Sequence, residues 1–176
     1  MSSTIAPPRP HPTPERPGEP TGVWVDAAPF RAWVRQLVSD TGLPWRVIAR
    51  AAGVPSPTVR TLLCGRHGRP LRKLRHMDAT QLLRLDHNKL TVLSGEPAKA
   101  TSVRALTWAL GLRGCSPAEI AFHLGTDLRS VNTLMAGGDA WCSRLQQLRA
   151  EACCEAWGID PARVAETALT PRPHHR

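Results

Sequence analysis

The chain contains no apolar run long enough to cross a bilayer, and no charged start followed by an apolar core. Neither a membrane span nor a secretory leader is therefore expected. Its five cysteines form no C-x-x-C pair; they are irregularly placed, with Cys153 and Cys154 adjacent. That pattern excludes a four-thiolate metal or iron–sulfur site and argues against a disulfide framework, so reduced, largely buried thiols in a cytoplasm are expected. His76, His87 and His123 lack ligand spacing, and only His174 and His175 adjoin. No Gly-rich phosphate loop, Ser/His/acid trio or pair of carboxylates suited to a pocket can be read. The expectation is a protein that is not an enzyme and that holds no metal and no cofactor.

Lysine is scarce, at Lys73, Lys89 and Lys99 among 23 cations, and acids are missing altogether from Thr41 to Met77. That acid-free stretch carries Arg46, Arg50, Arg60, Arg66, Arg69, Arg72, Lys73 and Arg75. From Thr101 to Thr170 there are six cations and seven acids, so the formal charge of +9 is concentrated towards one end. Such a distribution points to a polyanionic partner for the first region and not for the second. Arginine in place of lysine favours forked contacts to phosphate and guanine, although a GC-rich genome produces the same bias.

What the chain has in place of catalytic motifs is a pattern written twice. GLPWRVIARAAGVPSPTVRTLLCG (42–65) and GCSPAEIAFHLGTDLRSVNTLMAG (114–137) align without a gap. Gly42/Gly114, Ile48/Ile120, Ala49/Ala121, Gly53/Gly125, Val59/Val131, Leu62/Leu134 and Gly65/Gly137 coincide. The spacing suits two short helices joined by a sharp turn. Ala49 keeps the crossing close, Gly53 supplies a positive φ, and Val54 and Val59 bury against Ile48 and Leu62. Ser56 is expected to cap the second helix of the first copy and Asp127 that of the second. Two helices so joined are the kind of unit that can lay a helix into the DNA major groove.

The chain divides into a Pro-rich arm at 1–22, expected to be disordered, a basic domain at 23–86, a linker at 87–100, a second domain at 101–170 and a tail at 171–176. GVWVD (22–26) reads as a short strand or staple, with Asp26 capping a helix over 28–40. Further helices are expected at 44–52, 56–64, 78–85, 101–112, 116–136 as a hairpin, 139–157 and 160–168. The last long one carries Trp141, Leu145, Leu148, Ala152 and Trp157. The fold class is all-α, with two tandem helical lobes each containing one hairpin.

If the first hairpin docks in the usual way, Ser56, Pro57, Thr58, Arg60 and Thr61 face the base edges. Arg60 is the strongest reader, because its fork can bond guanine O6 and N7 together. Arg46 and Arg50 are placed to hold phosphates. Arg66, His67, Arg69, Arg72, Lys73 and Arg75 form a basic extension. In the second hairpin Arg129, Ser130, Asn132 and Thr133 take the corresponding positions, and Asn132 can pair with adenine N6 and N7. Glu119, Asp127 and Asp139 lie beside that surface and would repel phosphates, so it is either a weaker second reader or a surface for packing, dimerisation or a protein partner.

IARAAGVPSPTVRTLL resembles the helix-turn-helix segments of bacterial and phage repressors and other small transcription regulators, over residues 44–64 and 116–136. The Arg/Ala-rich style and RHGRP are similar to actinobacterial or actinophage regulators. Two such units in one chain are similar to phage immunity repressors that use two domains on an asymmetric operator. H-G-R-P (67–70) also resembles the R-G-R-P core of AT-hook peptides, with His67 where the first Arg belongs. That resemblance implies an extended track along a minor groove; the other reading is a basic wing on phosphates. The family implies double-stranded DNA as partner, a homodimer or protein partner through 101–170, and a cytoplasmic, nucleoid-associated protein. The leading function is a sequence-specific regulator, a repressor acting by occupancy. The alternatives are an excisionase-like architectural factor and an adaptor whose second lobe binds a protein.

Overall fold

Ten helices and one two-stranded sheet make up the described residues, 23–138 and 141–169, of this computed structural model. In chain order they are β1 (Trp24–Asp26), α1 (Ala28–Thr41), α2 (Trp45–Ala52), α3 (Ser56–Cys64), β2 (Lys73–Arg75), α4 (His76–Leu83), α5 (His87–Gly95), α6 (Ala100–Leu112), α7 (Pro117–Leu124), α8 (Leu128–Met135), α9 (Arg144–Ala156) and α10 (Pro161–Leu169). The chain is therefore predominantly helical, as its periodicity implies. The arm at 1–22, Asp139 and the tail lie outside the described residues.

The two hairpins form for the reasons their spacing suggests. Gly53 (φ 72°) and Gly125 (φ 67°) close α2 and α7 in the left-handed region, which a residue without Cβ adopts at little cost. Ala49, Ile48, Val54, Val59 and Leu62 are buried together in one core with Val34, Leu74 and Leu82. Ile120, Ala121, Leu124, Val131 and Leu134 are buried in another, with Val103, Leu106 and Leu110. Burial of side chains of this size stabilises each core by roughly 1.5–3 kcal/mol per residue.

The repetition reaches further than the matching sequence. In the N-terminal half β1 precedes α1 and pairs antiparallel with β2, Val25 opposite Leu74. In the C-terminal half Pro97 precedes α6 and pairs antiparallel with Ser143. Arg31 Nε donates to the Leu62 carbonyl at 2.7 Å and its Nη2 to the Leu71 carbonyl at 2.6 Å. Arg104 does the same to Leu134 and Gly138, both at 3.0 Å. Each arginine thus ties the last turn of its hairpin's second helix to the segment that follows it, where a cation also meets the negative helix terminus.

One helix joins the halves. Leu148 and Ala152 of α9 are buried in the N-terminal core, while its Ala150, Cys153 and Cys154 are buried in the C-terminal one. A helix apolar on two faces must be enclosed on both.

Several expectations are corrected. Residues 87–100 are not a linker throughout: α5 occupies His87–Gly95, capped by Asp86, and buries Leu90 in the N-terminal core. The apolar pair Leu90 and Leu93 is too short a signal to separate a helix from a loop. α9 begins at Arg144, where Ser143 and Gln146 form a capping box. Trp141 and Trp157 lie on the surface, not in the apolar stripe. Asp26 is not the cap residue of α1, although its carboxylate accepts from the Ala28 N–H at 3.1 Å. The thiols are free, and Cys64 is exposed while the other four are buried. Burial pushes Cys153 up to about 11 and Cys154 up to about 12.

Candidate nucleic-acid interface

Helix α3 buries Ser56, Val59 and Leu62. A 3.6-residue period then leaves Pro57, Arg60, Thr61 and Cys64 on the opposite side. Of these Pro57, Arg60 and Cys64 are exposed and Thr61 is half-buried, its hydroxyl donating to the Pro57 carbonyl at 2.8 Å. Arg60 has no hydrogen-bond or ionic partner among the described contacts, so its fork is available to solvent. Thr58 is half-buried on the flank.

Beside that flank runs an open groove of about 500 Å³. Its lining includes Pro57, Thr58 and Thr61 of α3, the cations Arg66, Lys73 and Arg75, the apolar Trp24 and Leu71, and a single acid, Asp78. The strand pair places Lys73 and Arg75 there. Leu74 points into the core, and alternation along the strand turns Lys73 and Arg75 outward. The Arg75 guanidinium lies 5.9 Å from the Trp24 ring centroid, which holds it against an aromatic face. Arg72 is exposed.

The basic extension is a hairpin loop and not an extended track. Arg66 N–H donates to the Arg69 carbonyl at 2.8 Å and Arg69 N–H to that of Arg66 at 3.0 Å. His67 (φ 50°) and Gly68 (φ 74°) between them are both left-handed, as in a two-residue type I′ turn. A Cβ on Gly65 would collide with the Arg69 carbonyl, so the turn folds back onto the end of α3. An AT-hook needs the Gly-Arg-Pro track extended; here the pairing of Arg66 with Arg69 consumes that extension. The exposed tip carries Arg66, His67 and Arg69 in the manner of a wing.

Three expected contact residues are engaged elsewhere. Arg50 pairs with Glu151 at 2.9 Å and with Glu155 at 3.1 Å, and all three side chains are largely buried. Ser56 is buried and is not the cap, a place taken by Pro55; its hydroxyl donates to Glu155 at 2.8 Å. Both are held against α9, so Arg50 is not free as the expected phosphate ligand nor Ser56 as the expected base contact. Nothing local in the sequence announces Glu151 and Glu155, which lie about a hundred residues away. Arg46 is half-buried and stacks on Trp45 with 4.4 Å to the ring centroid, leaving it at the edge of the surface.

In the second hairpin Arg129, Asn132 and Thr133 are exposed, whereas the Ser130 hydroxyl donates to Asp127 at 2.9 Å. The neighbouring acids serve as caps. Asp127 accepts from the Ser130 N–H at 2.7 Å, and Glu119 closes a capping box with Ser116. These N–H donors hold both carboxyls below the usual range, so they remain charged. The surface differs from its counterpart in a second way: Phe122 and Leu128 are exposed beside it.

No group of three or more His, Cys, Asp or Glu side chains suited to a metal ion occurs among the described residues, and none of their helices is long and apolar enough to cross a membrane. Comparison with protein-family models, curated proteins and solved structures gives no match.

Sequence reasoning reached Pro57, Thr58, Thr61, Arg66, Lys73 and Arg75, which line one groove, whereas Arg60, His67, Arg69 and Arg72 are exposed outside its lining. It missed Trp24 and Leu71 as lining residues. The alternation in V-W-V and K-L-R was the available signal, but three residues per strand give it little weight.

Proposed function

We propose that the chain is a sequence-specific regulator that binds double-stranded DNA through its N-terminal half, acting as a repressor by occupying its site. In this reading α2–α3 is a helix-turn-helix, α3 enters the major groove, and the hairpin at 66–69 lies on the backbone as a wing. Arg60 reads guanine, and Thr61 and Thr58 contact a base methyl or a phosphate. Arg66, Arg69, Arg72, Lys73 and Arg75 neutralise phosphates.

The observation that carries it is the groove lined jointly by Pro57, Thr58 and Thr61 of α3, by Lys73 and Arg75 of β2 and by Arg66 of the wing. Cations scattered around the molecule would support only a solubility role. Here Arg66, Lys73 and Arg75 line a groove with the flank of a helix whose outward Arg60 is exposed.

A selection of bound fragments from a random duplex pool tests the reading. The expected outcome is one enriched sequence, on which Arg60→Ala loses about 1–3 kcal/mol of discrimination while binding to random duplex is little changed. Equal losses on both would remove Arg60 as a base reader. No retention of any duplex would overturn the function itself.

A further inference from the structure

The contact that joins the two halves has unmatched counterparts elsewhere on the chain. Within the chain α9 covers one side of the α2–α3 hairpin, where a single Glu155 oxygen reaches both Arg50 and Ser56. Those two positions therefore share a face. Their repeat equivalents, from the gapless alignment, are Phe122 and Leu128. In the C-terminal half no helix among the described residues covers this face: Phe122 is 80% exposed and Leu128 47%.

The other side of the contact also has a counterpart. α4 stands in the N-terminal half where α9 stands in the C-terminal half, each following the strand or bridge that closes its hairpin. Counted from their N-caps, Arg75 and Ser143, Leu82 and Ala150 occupy the same position, and both are completely buried in their own cores. The helices are thus oriented alike. The same count places Leu83 with Glu151 and Met77 with Leu145. Glu151 and Leu145 face the N-terminal half, whereas Met77 is 73% exposed and Leu83 59%. The Arg50–Glu151 ion pair within the chain thus corresponds to an unpartnered Phe122 and an unpartnered Leu83.

We propose that a second copy of this chain docks head to tail, seating Leu83 of its α4 on Phe122, with Met77 and Leu128 at the margins of the same contact. The contact repeats between copies the one that α9 makes within a copy, with an apolar pair replacing the ion pair. Stacked repeats need polar outer faces to remain separate, and here each outward face exposes two large apolar side chains. A heterologous contact of this kind does not close on itself with two copies, so chains of copies grow unless the rotation forms a ring. None of this depends on binding nucleic acid.

Sedimentation velocity of the full chain without DNA tests it, over a wide concentration range. The wild type is expected to form species larger than a dimer as concentration rises. Phe122→Lys alone, and Met77→Lys with Leu83→Lys together, should each remain monomeric. Mixed in equal amounts, the two should form one-to-one dimers and nothing larger, because each retains one intact face. All these positions lie on the surface, and an unchanged far-ultraviolet helix signal verifies folding. Phe122→Gln and Leu83→Gln form a gentler pair if the lysines unfold the chain. A wild type monomeric throughout would overturn the proposal. So would variants that still self-associate, or a mixture that stays monomeric.

Discussion

The N-terminal and C-terminal halves share a unit and differ in what they leave uncovered. Both have a short strand or bridge, three helices with a Gly-closed turn, an arginine holding the end of the third helix, and a fourth helix. The first half then adds a basic hairpin after its third helix and pairs Arg50 and Ser56 with α9. The second replaces that pair by Phe122 and Leu128 and uses its acids as caps. Core and turn residues keep the unit folded; the surface positions between them set the partner. One framework therefore presents a polar, cationic face in one half and an apolar, locally acidic one in the other.

The comparison is broken most severely by core truncation. Ile48→Ala and Ile120→Ala empty equivalent, fully buried sites, and each should cost about 2–5 kcal/mol in urea unfolding followed by circular dichroism. Because α9 is buried in both cores, either variant should still unfold in a single transition. Two separate transitions would show that the halves are energetically independent.

Next come the two arginines. Arg31→Met and Arg104→Met each remove two charge-assisted hydrogen bonds to carbonyls, and losses of about 1.5–3 kcal/mol are expected at both sites. A loss at one site alone would mean that the repeated geometry is not a repeated energy.

The halves should separate on nucleic acid. On the selected duplex Arg60→Ala is expected to weaken binding roughly 10- to 100-fold, and Asn132→Ala to change it by less than about twofold. A larger effect at Asn132, measured by fluorescence anisotropy, would make the second hairpin a reader.

The smallest effect is one of pH. Burial raises Cys153 and Cys154 in the folded state, so the stability their neutral thiols contribute is complete below the unfolded value near 9 and is lost as pH rises towards about 12. Melting temperatures should fall over that window, and Cys154→Ala should flatten the decline. An unchanged slope would show that the decline arises elsewhere.

Much of the fold was legible because its signals are local. Gly53, Ala49 and Val59 at their spacing imply the hairpin, and its recurrence at Gly125, Ala121 and Val131 implies a second. The reading failed where a distant partner decides. Ser56 has the chemistry of a cap, yet Glu155 draws its hydroxyl away and Pro55 takes the cap position. Arg50 resembles a phosphate ligand until Glu151 and Glu155 are folded against it. RHGRP is compatible with an extended track, and only the pairing of Arg66 with Arg69 makes it a turn. Of the candidate site, the outward ridge of α3 was readable from helical period alone, whereas the groove required the pairing of β1 with β2.

The central claim is that the first half meets a duplex with Arg60 and the wing cations together. Its most direct test is the salt dependence of duplex binding by the wild type and by Lys73→Ala. The account predicts a steep linear fall of log affinity with log salt, and a slope smaller by about one when Lys73 is removed. A flat salt dependence, or a slope unchanged by the substitution, would contradict it.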